Sequence, residues 1–174
     1  VIVSARAAAT GAALVEILRK AGYETQAEYY VNDAGSQVAK LGLSLLTRFR
    51  QRLGEDVPFP EEGYPGEYLV EIARAIPEEE GRAWLALPAD AAVTAFGQAA
   101  LGRIMEMIQI DLERFGVRYD RFFRESELYR DGEVERTLAL LKERGVVYEE
   151  EGAQWFRSAE LGDEKDRVLV RSDG

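Results

Sequence analysis

Glu28-Tyr29-Tyr30-Val31-Asn32-Asp33-Ala34-Gly35 is the stretch on which the fold turns. Residues 23 to 31 are rich in Tyr and Thr, side chains that suit a pleated, half-buried surface, so a strand is expected there. Asn32-Asp33-Ala34-Gly35 then breaks the strand with residue types that favour a turn. From 36 to 53 the apolar positions Val38, Leu41, Leu45, Leu46 and Phe49 recur at helical spacing, and Gly54 ends the run. A strand, a polar turn and an amphipathic helix in that order form the opening of an α/β unit. Upstream, Ala9, Ala13, Ile17 and Ala21, with Leu14 and Leu18, predict a first helix over 5–21, closed by Gly22.

Downstream, residues 55–65 hold three of the five prolines and read as an irregular linker. A helical pattern resumes over 66–76 and stops at Pro77. Residues 78–95 lack a clear period, and a helix starting there strengthens into 101–115 before Gly116. The aromatic run 117–123 predicts a strand, 132–144 a helix ended by Gly145, and 146–148 with 153–157 a hairpin about Glu151-Gly152. Residues 167–171 alternate and predict the last strand. Helices interleaved with single strands imply one α/β sheet with crossovers.

Composition limits the chemistry. The 174 residues contain no His and no Cys, so imidazole bases, thiolate nucleophiles, disulfides and Cys-ligated zinc are excluded. A site must be made from carboxylates, amides, hydroxyls, Arg and Lys. The 22 Lys and Arg against 32 Asp and Glu give a net charge of −10, which opposes non-specific attraction to nucleic acid. No apolar run approaches the ~20 residues of a membrane span, and no DNA or membrane partner is expected. The chain begins at Val1 without Met and stops at Gly174, so it is expected to be cut at both ends.

The turn after the first strand is where open α/β sheets gather ligand groups, because strand carboxyl ends meet helix N-termini there. Asp33 reads either as a ligand group or as a turn former or N-cap, and Gln37 either as a cleft residue or as an exposed helical amide. Glu125, after the aromatic strand, could take a planar guanidinium in bidentate fashion. Its alternatives are an ion pair with a nearby Arg, or the start of a helix. Glu78-Glu79-Glu80, Glu149-Glu150-Glu151 and the mixed-charge run 163–167 read as solvated surface.

Read as phrases, the chain resembles the catalytic domain of bacterial arginyl-tRNA synthetases, class I aminoacyl-tRNA synthetases with a Rossmann-like core. The phrases run in order: Ala21-Gly22-Tyr23; Glu28 to Gly35 with Gln37; Pro58-Phe59-Pro60-Glu61-Glu62-Gly63-Tyr64; and Gly66-Glu67-Tyr68-Leu69. They continue through Asp111-Leu112, Phe115-Gly116-Val117, Tyr119-Asp120, Glu125-Ser126, Leu128-Tyr129, Gly162-Asp163 and Lys165 to Gly174. The resemblance implies an incomplete core with a helical insertion: 1–54 as its first part, 55–116 as the insertion, and 117–174 as the return. It implies ATP-dependent activation of arginine, with Mg, and transfer to arginine-specific tRNA in the cytoplasm. It places Glu125 as the guanidinium-contacting carboxylate, Asp33 and Gln37 near the amino-acid pocket, and Arg6, Gly11 and Gly35 near ATP.

Where such enzymes carry a His-x-Gly-His signature, this chain has Val1, Val3 and Ser4, and Ala12 replaces an acidic residue. An isolated chain of this sequence is therefore expected to be inactive. The alternative is a degenerate, non-catalytic relative that acts as a protein-interaction module.

Overall fold

A computed structural model describes residues 2–172, with side chains from residue 5 onward. The chain folds as two compact units, 1–125 and 126–174. The first contains α1 (Ile2–Lys20), β1 (Glu28–Val31), α2 (Ser36–Arg52), α3 (Glu67–Ala75), α4 (Glu78–Leu85), α5 (Ala89–Arg114) and β2 (Arg121–Arg124).

Its core is helical. Leu41, Leu45 and Phe49 of α2 pack against Leu69, Ile72 and Ala73 of α3 and Phe96 and Ala100 of α5. The Phe96 ring stands 5.5 Å from Phe49 and edge-on to Trp84 at 5.1 Å. Two helices come this close because they meet at glycine. A Cβ on Gly42 would lie 2.1 Å from the Val93 carbonyl oxygen and 2.9 Å from the Gly97 nitrogen. Gly81 leaves room in the same way for the Phe49 ring, whose Cζ would be 2.0 Å from an added Cβ.

Farther along α5, Leu101 and Met105 pack with Val31, joined by Tyr29, Ile108 and Phe122. This second cluster seats β1 and β2 on α5. The two strands pair in parallel from Glu28↔Arg121 to Val31↔Arg124. Tyr30 stacks on Phe123, and Arg121 lies over the Phe123 ring at 4.6 Å.

The second unit is a separate small sheet. After α6 (Glu125–Arg130) and α7 (Glu133–Glu143) come β3 (Val147–Glu150), β4 (Ala153–Phe156) and β5 (Arg167–Val170), antiparallel in the order β3-β4-β5. The expected hairpin is present. Glu151 and Gly152, at φ 52° and 77°, form its two-residue turn, as a primed turn requires. The segment 163–167 is surface, as expected, and is pinned there by its own charges. Asp163 accepts two bonds from Arg167, at 2.6 and 2.7 Å, and one from the Glu164 amide, which together hold its carboxyl down at about 2.

Three expectations need correction. The strand expected over 23–31 is only Glu28–Val31, and that over 117–123 is Arg121–Arg124, because ladder bonds exist only where the two segments overlap. The single sheet with crossovers is replaced by a parallel pair and an independent antiparallel meander, since β3, β4 and β5 are close enough in sequence to pair with one another. The unpatterned run 78–95 resolves into two helices, parted at Ala86-Leu87-Pro88. Among the described residues no helix is long and apolar enough to cross a membrane.

The glycine contacts predict opposite effects for one chemical change. Gly42→Ala must push backbone aside and should cost about 1–3 kcal/mol or more. Gly102→Ala, on the same helix pair but with nothing within 4 Å of its added Cβ, should gain up to about 1 kcal/mol of helix propensity. Urea unfolding of the two variants checks the sign of each.

Candidate functional site

The carboxyl ends of β1 and β2 lie side by side, and the residues just beyond the ladder reach across to one another. Asp33, buried to 3% side-chain exposure, meets the Arg124 guanidinium at 3.5 Å. Its neighbour Asn32, with its amide turned so that both ends are satisfied, donates to the Ala34 carbonyl at 3.0 Å and to Glu125 Oε2 at 3.2 Å. Two consecutive residues of one strand end thus grip two consecutive residues of the other. Glu125 is also the first residue of α6, so one of its alternative sequence readings, the start of a helix, describes its backbone.

Gly35 precedes α2 with φ 78°, and no side chain caps that helix, so Asp33 is not its N-cap. Asn32 and Gln37 line a cleft of about 190 Å³ with Tyr64 and Tyr68, floored by Val38 and Leu41 of α2 and Leu101 and Ile104 of α5. Burial, and the neighbouring Tyr64, push the Tyr68 phenol above its ordinary value.

Tyr64 reaches the cleft because the proline-rich linker is fastened along α2, and Tyr68 reaches it from the first turn of α3. Gln51 donates to the Val57 carbonyl at 2.9 Å, and Arg48 lies 4.3 Å over the Phe59 ring. The buried Ser44 hydroxyl accepts from the Tyr64 amide at 2.9 Å, and Lys40 pairs with Glu62. At Gly63 a Cβ would strike Phe59, Pro60 and Ser44 at 2.8 to 2.9 Å, so only glycine lets the linker lie this close. Sequence reasoning gave no role to Asn32, Arg124, Tyr64 or Tyr68. The signal for Tyr64 was its position at the end of the irregular linker, and for Tyr68 its position at the start of the helical run that follows.

Arg6 and Gly11 lie elsewhere, exposed on α1. Of the signature positions, Val1 lies outside the described residues, and Val3 and Ser4 fall in the first turn of α1. An open trough of about 1000 Å³ runs between Ala5, Ala7 and Ala8 of α1 and the end of α5, with Tyr29 and Tyr119. It is larger than the Asn32 cleft, yet neither Arg6 nor Gly11 lines it and it is mostly apolar. The polar groups converge at the strand ends instead. α1 is tied down by Asp120, which accepts from the Ala27 amide and from Arg19, both at 2.7 Å. The Ala27 bond, with Arg19 behind it, holds the Asp120 carboxyl below its ordinary value of 3.8. Among the described residues no three His, Cys, Asp or Glu side chains group to hold a metal ion.

No family model matches the chain. Individual proteins do. An arginine–tRNA ligase of Syntrophotalea carbinolica is 50% identical over 169 residues, covering 97% of this chain and 30% of the relative. Arginine–tRNA ligase 1 of Halalkalibacterium halodurans is 46% identical over 170 residues, covering 98% of this chain and 31% of the relative. A solved Campylobacter jejuni structure named as an arginyl-tRNA synthetase superposes with a TM-score of 0.85 at 37% identity, over 98% of this chain and 37% of that one. The arginyl-tRNA synthetase of Thermus thermophilus superposes at 0.63 and 25% identity, over 98% of this chain and 30% of that one.

These matches make the chain similar to one segment of proteins named as aminoacyl-tRNA synthetases. More narrowly, it is homologous to a segment of arginine–tRNA ligase, and it spans about 30% of the length of the curated relatives it matches.

The Asp120 tie predicts an acid-sensitive first unit. A carboxyl depressed in the folded state stabilises fully above its unfolded value and loses that contribution as pH falls below it. The thermal midpoint should therefore drop as pH falls below about 3.8, more steeply in the parent than in Asp120→Asn, which should be less stable near neutrality. Parallel pH profiles for the two proteins would show that the tie contributes nothing.

Proposed function

We propose that this chain supplies part of the catalytic domain of an arginine–tRNA ligase, the part that receives the arginine side chain. The observation that carries the proposal is the placing of Glu125 at the carboxyl end of β2, anchored by Asn32 beside the Asp33–Arg124 pair. A carboxylate presented at a strand end suits a guanidinium, whose parallel N–H donors it can accept in pairs. Asp33 and Gln37 complete the amino-acid side of the pocket in this reading, and the open backbone at Gly35 belongs to the ATP side.

ATP is the co-substrate, and transfer is to the terminal adenosine of arginine-specific tRNA, in the cytoplasm. Arg6 offers an exposed cation for phosphate, and the surface at Gly11 is open, with nothing within 4 Å of an added Cβ. Mg²⁺ would arrive on the ATP phosphates, which suits an ion that keeps several waters and few protein ligands. The parallel pairing of β1 with β2, strands on either side of 55–116, supports a Rossmann-like core with that segment inserted. Core parts 1–54 and 117–174 flank it.

The second reading, a non-catalytic relative that binds a protein partner, is favoured by one observation. Val3 and Ser4 stand where signature residues belong, and the chain contains no His. Imidazole donors aimed at developing charge are worth about 10²- to 10³-fold each in such a role.

The 174-residue chain is accordingly expected to show no arginine-dependent pyrophosphate exchange with tRNA added; turnover above a blank would contradict this. Binding is the positive test. One charge-assisted contact contributes about 1.5–3 kcal/mol, less than the several kcal/mol lost on immobilising a ligand, so arginine should bind at roughly millimolar affinity or weaker. Glu125→Gln should weaken that binding, and citrulline should bind less well than arginine, both read by chemical-shift titration. Equal responses to arginine and citrulline would make Glu125 an ordinary surface carboxylate.

A further inference from the structure

We infer that Asn32 is a positioning residue for Glu125 and thereby sets the preference for a guanidinium over an ammonium; the inference rests on Glu125 being the arginine carboxylate. A glutamate has three rotatable bonds, and two-point recognition of a planar fork demands that its carboxylate plane be fixed. Asn32 is built to fix it. One N–H of its amide is spent on the Ala34 carbonyl at 3.0 Å, inside its own turn, which holds the amide in place. The other points across the strand ends to Glu125 Oε2 at 3.2 Å.

The chemistry of the donor matters as much as its place. A carboxylate has about four acceptor positions, and a single amide N–H occupies one, leaving enough for a bidentate partner. A neutral donor orients the carboxylate without cancelling its charge. The adjacent cation, Arg124, is engaged by the buried Asp33 at 3.5 Å. Asn32 itself lines the cleft with Gln37, Tyr64 and Tyr68, whereas Glu125 stands behind it and does not line the cleft.

Orientation and charge predict different losses. A lysine ammonium is a compact point charge and needs no fixed carboxylate plane, whereas a guanidinium does. Asn32→Ala should therefore weaken arginine several-fold, leave lysine almost unchanged, and bring the ratio of the two affinities toward one.

The experiment titrates the 174-residue chain, Asn32→Ala and Glu125→Gln with arginine and with lysine, following amide chemical shifts. A second readout needs no ligand: the Asn32 side-chain amide resonances should move in Glu125→Ala. A collapsed arginine-to-lysine ratio in a folded Asn32→Ala, with shifted Asn32 resonances in Glu125→Ala, is the expected result. If Glu125→Gln weakens arginine while Asn32→Ala keeps the ratio, or lowers both ligands equally, Asn32 is merely structural and the inference falls while the arginine reading stands. If Glu125→Gln changes nothing, or no variant binds arginine, the arginine reading falls and the specificity role with it. Unmoved Asn32 resonances in Glu125→Ala overturn the contact itself, even where Asn32→Ala does not fold.

Discussion

Gly42 faces the backbone of α5 with no room for a side chain, the Val93 carbonyl oxygen lying 2.1 Å from where a Cβ would be. α2 and α5 therefore touch main chain to main chain, and the distance between them is fixed by peptide geometry, not by the choice of apolar residues. That spacing lets Phe49 and Phe96 share one layer and brings Trp84 edge-on against it. It also aims the second half of α5 at the strands. Leu101 and Met105 sit under Val31 because the crossing at Gly42 and Gly97 has already set the direction of the helix.

The consequence for the site is mechanical. β1 and β2 share four paired residues, and a parallel pair that short depends on what it is packed against. Here the support is α5 beneath and the cross-strand contacts at either end: Arg121 with Glu28 at the start, Asn32 and Asp33 with Glu125 and Arg124 at the finish. The strands end together, so the polar groups that follow them arrive at one place. On the other side of the cleft, α2 carries the linker like a rail. Ser44, Arg48 and Gln51, on one face of that helix, hold in turn the Tyr64 amide, Phe59 and the Val57 carbonyl.

Charge is handled locally. The chain carries a net −10, yet the carboxylates that shape structure are each matched: Asp33 with Arg124, Asp120 with Arg19 and an amide, Asp163 with Arg167 and an amide. Glu125 differs in being met by a neutral amide. A charge held in place without neutralisation is what a binding carboxylate needs, and the same residue placed against an Arg would be an ordinary ion pair.

The sequence alone determined the element types, because helical periodicity and turn chemistry are local. The stripe Val38, Leu41, Leu45 and Phe49 made α2 legible, and Gly152 made the hairpin legible, since a primed turn needs positive φ, which glycine adopts freely. The run Asn32 to Gly35 and the residue Glu125 were legible as site candidates from their places after strands. Tertiary structure decided the rest. How far each strand extends depended on overlap with a partner 93 residues away, as between Glu28 and Arg121, which no local pattern encodes. Residues 117–120 looked like strand, and Asp120 instead caps the entry to β1 through the Ala27 amide. Residues 55–65 are the irregular linker that the sequence suggested, but their pinning by Ser44, Arg48 and Gln51 was not legible, because it depends on which face of α2 is exposed, and that is fixed only when α2 packs on α5. The pairing of Asn32 with Glu125 was beyond reach for the same reason: an amide and a carboxylate far apart in the chain become neighbours only when two strands end side by side.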